Sequence, residues 1–201
     1  MSATIHTPGF AQVAGLTAAQ VCERFELSEA GAALLNERDT PDRLLSLLLA
    51  NGLHDDAVRL VAHSQPMKEL IGWALSCVKL AYGETGRVAE RDALAAVEAW
   101  LAQPGNEARR TAFEASEKAK LGNPAGCLAA AVFFTGGNIA PPESPNETPS
   151  PAGVAAQLAS TSILVAASYG DPSAHDTRMA AFLSARGPTI TLPPTHQGFD
   201  V

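Results

Sequence analysis

Apolar and polar positions alternate at helical spacing along most of the chain, most clearly over residues 65–82, QPMKELIGWALSCVKLAY. Leu70, Ala74, Cys77 and Ala81 form one apolar row, and Ile71, Leu75 and Val78 a second row beside it. Only Lys68, Gly72, Ser76 and Lys79 line up as a polar strip. A helix apolar over most of its circumference belongs in the middle of a bundle. Pro66 suits its first position, where a missing N–H costs nothing, and Gly83 suits its stop. This stretch is therefore expected to be the most buried helix of the fold.

The same reading carries along the chain. Thr17 with Gln20 has the spacing of a capping box, and Ser28 caps a short helix that runs to Leu35. Thr40-Pro41-Asp42 is a helix start built from a cap, a proline and a first-turn acid. The leucines at 44, 45, 47, 48 and 49 follow, so this helix is expected to face the central one. His54-Asp55-Asp56 opens another helix, ending near His63. Helices are predicted over 87–103, 107–121, 124–134, 152–169 and 172–185, separated by Gly and Pro. Residues 138–151 hold five prolines among polar residues and read as an extended surface connection with little hydrogen-bonded structure. The predicted architecture is all-α: a single compact multi-helix bundle, or a short stack of helical hairpins, of about nine helices, with the proline-rich connection before the last two. Residues 1–16 are expected to form a flexible arm, 17–187 the helical domain and 188–201 a tail.

Composition narrows the function classes. The chain is 46% apolar but only 5% aromatic, and its alanines and leucines favour packed helices over sheets. A formal charge of −7, with no basic cluster free of acids, argues against a nucleic-acid surface. Arg109 and Arg110 share their helix with Glu107, Glu114 and Glu117, which reads as a solvated mixed face. Cys22, Cys77 and Cys127 are distant from one another and form no metal-binding pattern, so they read as buried small hydrophobes in a reducing compartment. Residues 1–22 lack the charged start and apolar middle of a signal peptide, so the expected location is cytoplasmic. The uncharged run 148–170 is long enough to raise the question of a membrane span. Its Gln157, Ser160, Thr161 and Ser162 make it a buried Ala-rich helix instead.

Candidate chemistry is sparse. His54, Asp55 and Asp56 are the densest titratable cluster, and with His63 they form the only seed for an acid–base or metal site. Acids at a helix start are also expected on capping and dipole grounds, and the sequence names no distant third partner for them. No metal or cofactor is expected. Residues 83–86 lack the Lys-Ser/Thr ending of a phosphate loop, and Gly136-Gly137 follows a helix instead of a strand. Trp73 and Trp100 are core residues before they are interface anchors. Phe133 and Phe134, beside Ile139, Pro141 and Pro142 of the proline-rich stretch, are candidate interaction positions.

The stretches LTAAQVCERFELSEAGAALL, AVRLVAHSQPMKELIGWALSC, AVEAWLAQP and PAGCLAAAVFFTGGNIAPP, with weaker likeness through YGDPSAHDTRMAAFLSARG, resemble an uncharacterised family of bacterial all-helical proteins. That family is a domain of unknown function associated with type VI secretion gene clusters. The resemblance implies an all-helical fold and a protein partner among secretion-machine components, and it carries no assigned functional residues. The expected function is a non-enzymatic interaction or adaptor protein. The alternatives are an enzyme with a cryptic His/Asp site and a small-molecule-binding helical module.

Overall fold

A computed structural model describes residues 15–83 and 85–185. Among them are ten α-helices and no strand: α1 (Ala18–Cys22), α2 (Glu29–Leu34), α3 (Pro41–Ala50), α4 (His54–Ser64), α5 (Met67–Tyr82), α6 (Val88–Ala102), α7 (Asn106–Ala119), α8 (Pro124–Phe133), α9 (Val154–Ala167) and α10 (His175–Ser184). A single 3₁₀ turn, Pro172–Ala174, leads into α10. The expected tail, and the expected arm up to residue 14, lie outside the described residues. No described helix is long and apolar enough to cross a membrane.

Local capping chemistry sets the helix starts. Thr17 and Gln20 exchange side chain-to-backbone hydrogen bonds of 2.9 and 3.3 Å, the reciprocal pair of a capping box. Ser28, Thr40 and Asn123 each accept an N–H three residues on, at 3.0, 3.2 and 2.9 Å. Pro66 sits one residue earlier than expected, as the N-cap of α5, and Gly83 ends that helix with a φ of 55°.

Two apolar clusters hold the helices. The larger draws on α4 to α10, and the smaller joins Ala18 and Val21 of α1, Leu44 and Leu48 of α3, and Ala57 and Leu60 of α4. The leucine-rich α3 therefore packs against α4 and α1, not against α5 as expected. The central position also goes to a different helix. All ten residues of α8 are buried, whereas α5 keeps an exposed strip. α8 is short and made of small residues, so α6, α7 and α9 can all approach it closely. Trp73 and Trp100 are 7% and 6% exposed, and Trp73 Nε1 donates to Phe182 O at 2.9 Å, tying α5 to the end of α10. Both tryptophans are core residues.

Candidate functional site

The N-terminus of α4 faces the start of α10 across an open cleft of about 520 Å³. His54, Asp55, Asp56 and Arg59 line it from α4, Ser28 from the α2 cap, and His175 and Asp176 from α10. The two adjacent aspartates do different things. Asp56 is 1% exposed and reaches across to α2, where Oδ1 accepts the Ser28 N–H at 3.1 Å and Oδ2 the Ser28 hydroxyl at 2.5 Å. Arg59 pairs with it at 3.2 Å. This carboxylate is a long-range cap that fastens α2 to α4; Gly31 leaves room for it, since a Cβ there would stand 3.0 Å from Asp56 Cγ.

Asp55 turns the other way. Its Oδ1 lies 3.0 Å from His175 Nε2, and His175 Nδ1 lies 2.8 Å from Ser168 Oγ at the end of α9. The distant partner that the sequence did not name for the His54–Asp55–Asp56 cluster is therefore His175. His54 lines the cleft, but among the described residues no group of three or more His, Cys, Asp or Glu converges as a metal site. His63 is not part of this arrangement. It sits buried near the end of α4, stacked on Phe25 at 5.1 Å with the rings 20° apart.

A second constellation surrounds the proline-rich segment. Contrary to the expectation of little hydrogen bonding, this segment folds back on itself. Asn138 and Pro149 form an isolated antiparallel bridge, Ile139 N donates to Thr148 O at 2.8 Å, and Ser150 N donates to Gly137 O at 3.1 Å. The prolines remove donors from the segment, and the N–H groups that remain at Ala140 and Thr148 are both taken by Asn138 Oδ1, at 2.9 and 2.8 Å. Ser144 N bonds Pro141 O at 2.9 Å, so the Pro141-Pro142 pair starts a turn and not an extended polyproline run.

The loop's root is fixed by cationic side chains. Arg110 donates to Asn138 O and Ala140 O at 3.3 and 2.8 Å. Arg109, 6% exposed, donates to Phe133 O and to Asn106 Oδ1, each at 2.6 Å. Its guanidinium lies 5.8 Å from the Phe133 ring centroid. Burial, with Arg110 beside it, pulls the Arg109 pKa down from its ordinary value. Gly137, at a φ of 68°, packs on this guanidinium, and a Cβ there would stand 3.0 Å from Arg109 Cζ. The expectation of a solvated face at Arg109-Arg110 fails at Arg109 for this reason. Phe133 is buried against Phe113 at 4.4 Å, while Phe134 and Ile139 are half-buried and Pro141 and Pro142 are exposed.

Compared with known proteins, residues 44–187 match the sequence profile of a family of unknown function, DUF6931. The chain belongs to that family. No curated protein and no solved structure matches it. The DUF6931 match starts inside α3, later than the resemblance read from Leu16 onward, and extends through α10. Asp55, Ser168 and His175, and the whole proline-rich loop, thus fall within the family region, while α1, α2 and the Ser28 cap precede it.

The three cysteines of this DUF6931 chain are free thiols. Burial pushes Cys22 and Cys127 up to about 11 and Cys77 up to about 12, with the Asp56 carboxylate adding to the shift at Cys22. At pH 7.5 almost no thiolate is present to react. Ellman's reagent should therefore label the native protein slowly, half-buried Cys22 first, and all three sites at once in denaturant. Rapid labelling of three thiols in the native state would contradict this packing.

Proposed function

We propose that the protein is an interaction or accessory module that presents the proline-rich loop, residues 138–150, to a protein partner. The observation that carries this reading is the pinning of the loop root by Arg109 and Arg110. A buried guanidinium answered by carbonyl and amide oxygens is costly to desolvate. Here Arg109 holds the end of α8, from which the loop departs, and Arg110 bonds the loop's own Asn138 and Ala140 carbonyls, at the base of a surface loop whose tip lies almost wholly in solvent. Loops of this length that are internally hydrogen-bonded and anchored at the root commonly serve recognition. A prefolded loop also loses little entropy on docking. Glu143 and Glu147 are its only charges and both are exposed, which fits a neutral-to-basic partner surface. The partner class we propose, on the family resemblance alone, is a component of a bacterial type VI secretion machine, in a cytoplasmic setting.

The test replaces residues 143–147 with a Gly/Ser segment of equal length, leaving Asn138, Thr148 and Ser150 to hold the root. The melting temperature should stay near that of the parent. Affinity for the partner identified with the parent protein should fall about tenfold or more. Undiminished recovery of that partner by a folded loop variant would return attention to the helical faces.

A further inference from the structure

Ser168, His175 and Asp55 are brought into line by three separate elements. Ser168 closes α9, His175 opens α10 across the Asp171–Pro172 turn, and Asp55 is the second residue of α4, 120 positions away in sequence. A carboxylate can only accept, so Asp55 fixes the proton on His175 Nε2 at 3.0 Å. That leaves Nδ1 as the lone-pair nitrogen, to which the Ser168 hydroxyl donates at 2.8 Å. A nucleophile bonded to a base, and the base bonded to an orienting carboxylate, is the arrangement that activates a serine. His175 and Asp55 line the cleft with side chains 26% and 48% exposed, and Ser168, behind His175 and outside the cleft lining, is itself half-buried and so partly open to solvent.

We propose that Ser168 is an acyl-accepting nucleophile, with His175 as its base and Asp55 as a positioning residue. The substrate class is a small ester that is neutral or cationic, because Asp55 and Asp176 are the acids exposed to the cleft, while Arg59 is already paired with the buried Asp56. Ser168 Oγ adds to the ester carbonyl carbon as its proton passes to His175 Nδ1. The adduct collapses with cleavage of the ester C–O bond, and His175 returns the proton to the departing alkoxide. Water then adds to the acyl-serine, giving a proton to His175, and the acid leaves as Ser168 recovers that proton. This activity is independent of the loop reading and stands or falls separately.

The test treats the intact protein with an alkyl fluorophosphonate, which forms an Oγ–P bond with loss of fluoride. One adduct is expected by intact mass, mapped by peptide sequencing to Ser168. Ser168→Ala should abolish it, and His175→Gln should slow it roughly 100-fold. Asp55→Asn should lower the rate and shift the pH profile of labelling, and Asp55→Glu should restore both; a purely structural role for Asp55 would not move that profile. Hydrolysis of p-nitrophenyl acetate should follow the same order. No adduct under conditions that label a serine esterase, or an adduct mapped elsewhere, overturns the proposal, and neither outcome depends on any variant folding.

Discussion

Gly126→Ala is expected to destabilise the protein by about 3 kcal/mol or more, the upper part of the range for overpacking a core. Gly126 lies in the first turn of α8, where α7 ends against it. A Cβ added there would stand 2.8 Å from the Lys120 carbonyl carbon and closer still to its oxygen. Backbone, not a flexible side chain, blocks the space. The carbonyl is also held in place, since Asn123 Nδ2 donates to Lys120 O at 2.7 Å while Asn123 Oδ1 accepts the Gly126 N–H at 2.9 Å. Relief requires α8 to withdraw from α7, and α8 is buried on every side. For a chain of this size the loss corresponds to a melting temperature lower by roughly 6–12 °C. Gly72→Ala is the matched control. Gly72 lies inside α5 with open space around its missing Cβ. There alanine should add about 0.5–1 kcal/mol by helix propensity alone. Equal effects at the two glycines would mean that the α7–α8 contact is placed wrongly.

The same pair of helices shows where sequence reading succeeds and where it stops. Helix starts were legible because their chemistry is local: Thr17 with Gln20, Ser28, and Thr40 with Pro41 cap as their spacing indicates. The ranking of burial was not. α5 has clear apolar rows because it also has a polar strip, whereas α8, PAGCLAAAVF, has no polar face to mark a period. Its uniform small residues were the stronger sign of centrality, and its brevity hid it.

The candidate site divides in the same way. Asp55 and Asp56 stood out as a titratable cluster, but helix-start acids have a local explanation that hides a distant role. Asp56 caps α2 and Asp55 meets His175, contacts that tertiary packing creates and no periodicity encodes. Ser168 and His175 flank the Gly170–Pro172 helix break, and a Ser and a His on either side of such a break were the available signal. Arg109 was masked by the acids that share its helix, although only the face it occupies, not the helix's net charge, decides whether it is buried.

His63 supplies the largest expected pH effect. Its ring is buried and stacked on Phe25, and its Nε2 has no hydrogen-bond partner among the described residues. Burial first, and then the positive charge of Arg24, which donates to His63 O at 3.2 Å, push its pKa down to about 4. A position near the end of α4 would favour a cation through the helix dipole, but desolvation is the larger force here. The unfolded chain, with an ordinary histidine near 6.5, takes up the proton more readily than the native protein. Stability is therefore fully present above about pH 6.5 and falls as pH drops toward 4, by about 2–3 kcal/mol over that interval. His63→Phe keeps an aromatic ring on Phe25 and removes the titration. Melting curves from pH 7.5 to 4.5 should show the variant losing less stability than the parent on acidification, so that the difference between them moves in the variant's favour. Parallel curves for the two proteins would show that the acid sensitivity arises from another group.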